Sequence, residues 1–150
     1  MTMLTWIHET VPYWDADKAR IIGDSEPGSF PSDLVPPEGS NAMLPGDWWR
    51  VEDPKGTVIG YAWMDVTWGD AQMLLVVDPK QRRQGYGTEI LDRLEDEARA
   101  RGLNYLYNEV ASDHPRRDEV VSWLRKRSFL TADDGSLFRA VIKTVKQRAG

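Results

Sequence analysis

The chain has 150 residues, 41% hydrophobic and 29% charged, and a formal net charge of −5. That length fills one substantial core, so residues 1–150 are expected to form a single domain of ordinary globular chemistry. No apolar run approaches the roughly 18 residues of a membrane span; zero cysteines exclude disulfides, a thiolate nucleophile and a Cys-based zinc site, and having only His8 and His114 argues against a His-rich metal centre.

In chain order, Leu4–Ile7 reads as a first strand. Asp15 is placed to cap a short helix through Ile22, with Trp14 as the stapling residue before it and Gly23 to end it. Residues 23–47 hold five of the nine prolines and four glycines, which excludes a long helix and indicates an extended loop or short helical turns. Trp48–Val51, the turn Asp53-Pro54-Lys55-Gly56 and Thr57–Met64 make a hairpin. Side chains alternate across a strand, so Trp48 and Trp49 are not both expected in the core. Asp65 to Asp70 then turn the chain into an apolar strand ending Met73–Val77.

Next comes the basic, Gly-rich stretch Gln81–Gly87. Thr88–Arg101 reads as a surface helix. Ile90, Leu91, Leu94 and Ala98 share one face; Glu89 with Arg93, Glu95 with Arg99 and Glu97 with Arg101 fall at i,i+4 on the other. Gly102 stands where a C-cap glycine belongs. Leu103–Val110 reads as a strand, and Pro115 opens a helix to about Arg127 with Val120, Val121 and Leu124 inward. After Phe129-Leu130, the turn Asp133-Asp134-Gly135-Ser136 leads into a strand, Leu137–Ile142, and Lys146–Gly150 reads as a loose tail. Met1–His8 is too short for a signal peptide, which points to a cytoplasmic protein with no membrane partner.

A strand, a Gly-rich turn and a helix in that order make a pocket for phosphate. The glycines let the backbone approach an anion, the first helical turn offers free N–H groups at a positive dipole end, and Arg82 and Arg83 add charge. A Walker loop needs Lys-Ser/Thr after its second glycine, and Thr88-Glu89 stand here; a dinucleotide fingerprint needs a third glycine where Ile90 stands. What remains is Arg-x-x-Gly-x-Gly, spelled Arg82-Arg83-Gln84-Gly85-Tyr86-Gly87.

This motif resembles the acyl-CoA pyrophosphate loop of the GNAT superfamily of N-acetyltransferases, and the element order over about residues 57–143 resembles that superfamily's C-terminal half. The resemblance implies an α+β, three-layer fold, a mixed and mostly antiparallel sheet of six or seven strands with helices on both faces. It implies acetyl-CoA or another acyl-CoA as cofactor, held by Leu75, Val76 and Val77 on the strand and by Arg82, Arg83, Gln84, Gly85, Tyr86, Gly87 and Thr88 on the loop. In the family the strand before the loop splays from its neighbour, and its free backbone groups bind the pantetheine arm and polarise the thioester. The implied activity is acyl transfer to a primary amine of a small molecule or a protein.

The charge is unevenly spread. Residues 1–80 carry five basic against 13 acidic side chains, whereas residues 81–150 carry 14 basic against 11 acidic. An acidic acceptor side attracts an amine and repels nucleic acid; a merely solvated acidic surface reads the same way. Six of the seven tryptophans lie in the first 68 residues. They either line an acceptor pocket or fill the core or a homodimer contact.

Candidate catalytic residues are Glu109, Tyr107 and Asp70. Asn108-Glu109-Val110 is similar to a family pattern with a glutamate base, and Glu109 is in strand phase with Tyr105 and Tyr107. A second family base position falls on or beside Ala71, with Asp70 adjacent and Asp65 at the far end of the turn. The family's tyrosine acid, from Phe-Tyr-x-x-x-Gly-Phe, has no counterpart: in Trp123–Phe129, Leu124 takes the tyrosine's place and Ser128 the glycine's. The family's asparagine falls near Arg117, with His114 close by. Tyr105, Tyr107 or water then has to supply the proton, or release of thiolate needs none. Two other readings follow from that loss: a catalytically silent CoA-sensing or regulatory module, and a transferase using an acyl-carrier or aminoacyl donor.

Overall fold

The computed structural model describes residues 4–22, 35–36, 42–81, 85–110 and 114–141. The proline-rich loop, Arg82, Arg83 and Gln84, and the C-terminal tail expected from the sequence lie wholly or mainly outside those residues.

Among the described residues, seven strands form one mixed sheet: β1 (Thr5–Glu9), β2 (Asp47–Glu52), β3 (Val58–Thr67), β4 (Asp70–Val77), β5 (Tyr105–Asn108), β6 (Leu130–Thr131) and β7 (Leu137–Ala140). Their spatial order is β1-β2-β3-β4-β5-β7-β6, and every neighbouring pair is antiparallel except β4 and β5. The helices are α1 (Ala16–Ile21), α2 (Tyr86–Ala100) and α3 (Arg117–Lys126). The α2 helix is the crossover joining β4 to its parallel partner, the connection such a pair requires.

Because side chains alternate and helices cover both faces, the sheet has two cores. On the α2 face, Trp49, Val51, Ala62, Met64, Met73 and Leu106 pack against Ile90, Leu91 and Leu94 of α2 and Leu124 of α3. On the α1 face, Trp48, Tyr61, Trp63, Leu74 and Val76 pack against Trp14, Ile21 and Ile22. Trp48 and Trp49 do point opposite ways, yet both are buried, at 0% and 2% exposure. The expectation that one would lie outside assumed a single core.

Asp15 caps α1 as expected, its carboxylate accepting the Lys18 N–H at 2.9 Å. The turn placed at Asp65–Asp70 is tighter than expected. The β3 strand runs on to Thr67, and Trp68 (φ 55) and Gly69 (φ 83) alone reverse the chain, both in the left-handed region that a two-residue hairpin demands. Trp68, 95% exposed at its tip, belongs to neither core.

The charged face of α2 also departs from its helical reading. Glu97 pairs with Arg101 at 3.0 Å, but Glu95 is buried and is shared by Arg99 and by Arg139 of β7. Buried charge needs partners, and Glu95 finds the second on the sheet beneath it.

Candidate active site

The parallel pair sets the site. Its ladder has three rungs, Asp70 with Tyr105, Ala71 with Leu106 and Gln72 with Tyr107. The side chain of Asn108 then donates to the Met73 carbonyl at 2.8 Å, fastening the point where the strands part. Backbone groups of alternate residues on a strand point to the same edge, so Leu75 and Val77, in phase with Met73, present their N–H and C=O groups to the side β5 has left. No described residue pairs with them there. Val76 is different. Its carbonyl lies 2.5 Å from where a Cβ on Gly60 of β3 would sit, and its side chain is in the α1-face core, so it offers nothing to this opening. Of the three strand residues expected at the cofactor, Leu75 and Val77 are the ones whose backbone faces the opening.

Directly after β4, Asp78 is 6% exposed and anchors the entry to the loop. One carboxylate oxygen takes Arg20 of α1 at 2.5 Å and the other takes the Lys80 N–H at 3.0 Å, capping a 3-10 turn over Pro79–Gln81. Arg20 also donates to the Val58 carbonyl, so α1, β3 and the loop entry are tied together.

The helix start is built for close approach. Gly85 is the N-cap with φ 79 and ψ 5, a left-handed conformation, and it supplies no side chain. The first helical bond is from Glu89 N–H to the Gly85 carbonyl at 3.1 Å, which leaves the N–H groups of Tyr86, Gly87 and Thr88 without a helical acceptor. A Cβ on Gly87 would lie 3.4 Å from the Trp123 ring and 4.0 Å from Leu75 Cδ1, so a larger residue would fill the space between α3 and β4. Tyr86 turns its side chain into the core at 8% exposure and has only its backbone to give.

Arg127, which the sequence reading passed over, joins this corner from the end of α3. Its Nη2 and Nε donate to Thr88 Oγ1 at 2.8 and 3.2 Å, its Nη1 donates to the Trp123 carbonyl at 2.9 Å, and its guanidinium lies 3.9 Å from the Trp123 ring centroid. In the sequence it is one of several cations near a helix end; only the approach of α3 to α2 singles it out.

The proton-transfer candidates are separated by the fold. Glu109 lies one residue past β5 and is exposed, and Tyr107 is half-buried on the last rung. Burial pushes the Tyr107 phenol up, and the negative charges of Glu109, Asp65 and Asp70 push it further. Asp70 stands at the opposite end of β4, five residues from Leu75, or about 16 Å along an extended strand. Its charge nevertheless reaches the Tyr107 phenol, two residues along β5 from its partner Tyr105. Ala71 is fully buried in the α2-face core and leaves no room for a carboxylate there. His114 accepts the Arg116 N–H through Nδ1 at 2.9 Å, a capping role. Leu124 is 2% exposed and packed in the core. Among the described residues no cluster of His, Cys, Asp and Glu could hold a metal ion, and no helix is long and apolar enough to cross a membrane.

Residues 13–121 match the acetyltransferase (GNAT) family model. No curated protein matches the sequence. Among solved structures the chain is similar to ribosomal-protein-S18-alanine N-acetyltransferase from Escherichia coli, with TM-score 0.58 and 15% identity over 95% of this chain and 96% of that one. It is similar to mutant forms of the spermidine/spermine N-acetyltransferase SpeG from Vibrio cholerae, with TM-score 0.56 and 16% identity over 68% of each chain. It is also similar to a phosphinothricin acetyltransferase from Sinorhizobium meliloti in complex with AcCoA, with TM-score 0.52 and 18% identity over 67% of this chain and 64% of that one. At such identities the structural likeness bears on the fold, and the family match covers well over half of the sequence. The chain belongs to the GNAT acetyltransferase family and is by class an N-acyltransferase.

Proposed function

We propose that this chain transfers an acyl group, acetyl in the simplest case, from a coenzyme A thioester to a primary amine of a small molecule or protein. The observation that carries the reading is the meeting of two unsatisfied backbone surfaces. The open edge of β4 at Leu75 and Val77 runs toward the free N–H groups at the start of α2. A linear ligand with amides along its arm and a diphosphate at its end fits that run, since strand edges pair with amides and helix starts with anions. The glycines at 85 and 87 keep the corner open.

When bound, the thioester supplies the activated acyl carbon. The chain's own groups do the rest. The N–H groups of Tyr86, Gly87 and Thr88 hold the diphosphate, and the Leu75 and Val77 backbones align the arm and polarise the carbonyl. Glu109, directly or through water, takes a proton from the acceptor ammonium, so that a C–N bond forms as the C–S bond breaks. Tyr107, a phenol and so protonated at neutral pH, gives its proton to the departing sulfur and regains one from the nitrogen, which sheds its second proton as it becomes an amide. Asp65, Asp70 and Glu109 act together on Tyr107 and form no ion pair among the described residues, which favours a cationic acceptor and disfavours nucleic acid.

A second reading, a CoA-binding module without turnover, draws on Leu124, a buried aliphatic residue where the family carries its tyrosine acid. Acetyl-CoA turnover against a panel of amines, run beside calorimetric binding of CoA, separates the two. Turnover on any amine carries the first reading, binding with no turnover across the panel carries the second, and absence of binding refutes both.

A further inference from the structure

We infer that Arg127 is a ligand for the diphosphate of coenzyme A, delivered by the end of α3 to the first turn of α2; this rests on the acyl-CoA reading above. Arg127 is already held where such a ligand would be needed. Two of its nitrogens converge on the hydroxyl of Thr88, the third residue of α2. The same turn presents the N–H groups of Tyr86, Gly87 and Thr88, which have no helical acceptor. A third bond, to the Trp123 carbonyl, and the stacking on Trp123 fix the plane of the guanidinium.

Two further features point to an anion. A guanidinium has five N–H donors, and the three protein bonds leave one on each terminal nitrogen to be offered outward. No described carboxylate forms an ion pair with Arg127; Arg93, Arg117 and Arg125 share that lack, but Arg127 alone among them is hydrogen-bonded to the first turn of α2. A half-buried arginine with its rotamer fixed and its charge unbalanced has met the ordering cost of binding before the phosphate arrives. Thr88 Oγ1 accepts from Arg127, so its own proton is turned away from the guanidinium and is available to the same ligand. Because the tether is to the helix turn itself, the group assigned is the diphosphate and not the 3′-phosphate of the nucleotide.

The test is calorimetric binding of CoA and of 3′-dephospho-CoA to the full chain and to Arg127→Met, which keeps much of the apolar contact with Trp123. Arg127→Met is expected to weaken both ligands by about 10-fold or more, the scale of a lost charge-assisted hydrogen bond. It should also flatten the salt dependence of binding, which a purely structural role would not do. Arg127→Lys, which restores charge without the fork, should recover part of the loss. Unchanged affinity in a folded Arg127→Met would overturn the assignment, as would a loss confined to CoA with dephospho-CoA unaffected. If the unmodified chain binds neither ligand, the acyl-CoA reading itself fails, an outcome seen before any variant is measured.

Discussion

Two helices of this protein end in the same hydrogen-bonded turn, one with glycine in the left-handed slot and one with serine. At the end of α2, Leu103 N–H reaches the Ala98 carbonyl at 3.0 Å and Gly102 N–H the Arg99 carbonyl at 3.1 Å, with Gly102 at φ 72. At the end of α3, Phe129 N–H reaches the Leu124 carbonyl and Ser128 N–H the Arg125 carbonyl, both at 3.1 Å, with Ser128 at φ 70. Both are Schellman motifs. An L-residue in that conformation costs roughly 1–2 kcal/mol; replacing it by glycine relieves that strain, but the looser unfolded chain offsets about 0.5–1 kcal/mol of the gain. Ser128 is exposed and makes no side-chain hydrogen bond to a described residue, so no packing is lost. Ser128→Gly should therefore stabilise by about 0.5–1 kcal/mol, raising Tm by about 1–4 °C for a chain of this size. Gly102→Ala is the mirror experiment. A Cβ there meets nothing within 4 Å, so its cost, about 0.5–1 kcal/mol, is backbone alone. Urea unfolding of both variants reads the difference directly. A Ser128→Gly protein less stable than its parent, or a Gly102→Ala protein equal to it, would refute the argument that φ governs both positions.

Glu109→Gln should lower kcat by roughly 100-fold with acetyl-CoA affinity unchanged, the size of a lost general base; steady-state kinetics with equal rates would remove Glu109 from the mechanism. Leu124→Tyr should destabilise by about 1–3 kcal/mol through overpacking and give no gain in rate, because position 124 points into the core. Thermal unfolding and turnover of that variant decide whether the site has room for a phenol after all. The Tyr107 phenol has its pKa raised above the ordinary 10.0 in the folded state, so it contributes stability that is complete below pH 10 and is lost as pH climbs through the folded value. Tyr107→Phe should flatten that alkaline decline in urea-unfolding curves, and an unchanged pH profile would contradict the assigned environment.

Much of this was legible in the residues because it is written in backbone-directing types. Gly85, Gly102, the Asp15 cap and the Ile90, Leu91, Leu94, Ala98 stripe each state a local geometry, and the structure has each of them. What was hidden is tertiary. Glu95 and Arg99 look like an outward pair by spacing, but nothing in the spacing says that Arg139 will stand beneath them. The letters left the tryptophans open between a pocket, a core and a dimer contact. Trp14, Trp48, Trp49 and Trp63 fill two cores, and Trp6 stacks on Trp49 with centroids 5.4 Å apart. Lys18, unremarkable in sequence, is buried at 0% exposure with Glu9 at 2.7 Å and the rings of Trp48 and Tyr61 alongside. Nor do the letters tell Val76, whose carbonyl faces β3, from Leu75 and Val77, because the edge a strand residue faces is set by its partners.

The end of α3 separates what a family motif asks of the backbone from what it asks of a side chain. Ser128 takes the positive φ that glycine would take with less strain, so the turn survives the substitution and still carries Arg127 to Thr88. Leu124 keeps the volume of a core residue but has no proton to give, so the chemistry at that position does not survive. Backbone geometry tolerates a residue that pays a small strain, whereas a missing hydroxyl has no partial substitute. On the reading proposed here, the proton for the leaving sulfur has to come from β5 or from water, and the phenol nearest the parting of the strands is that of Tyr107. Replacing Leu124 cannot restore what the family's tyrosine does, because in this chain the position faces inward; the gain or loss of acid function is to be sought on the strand.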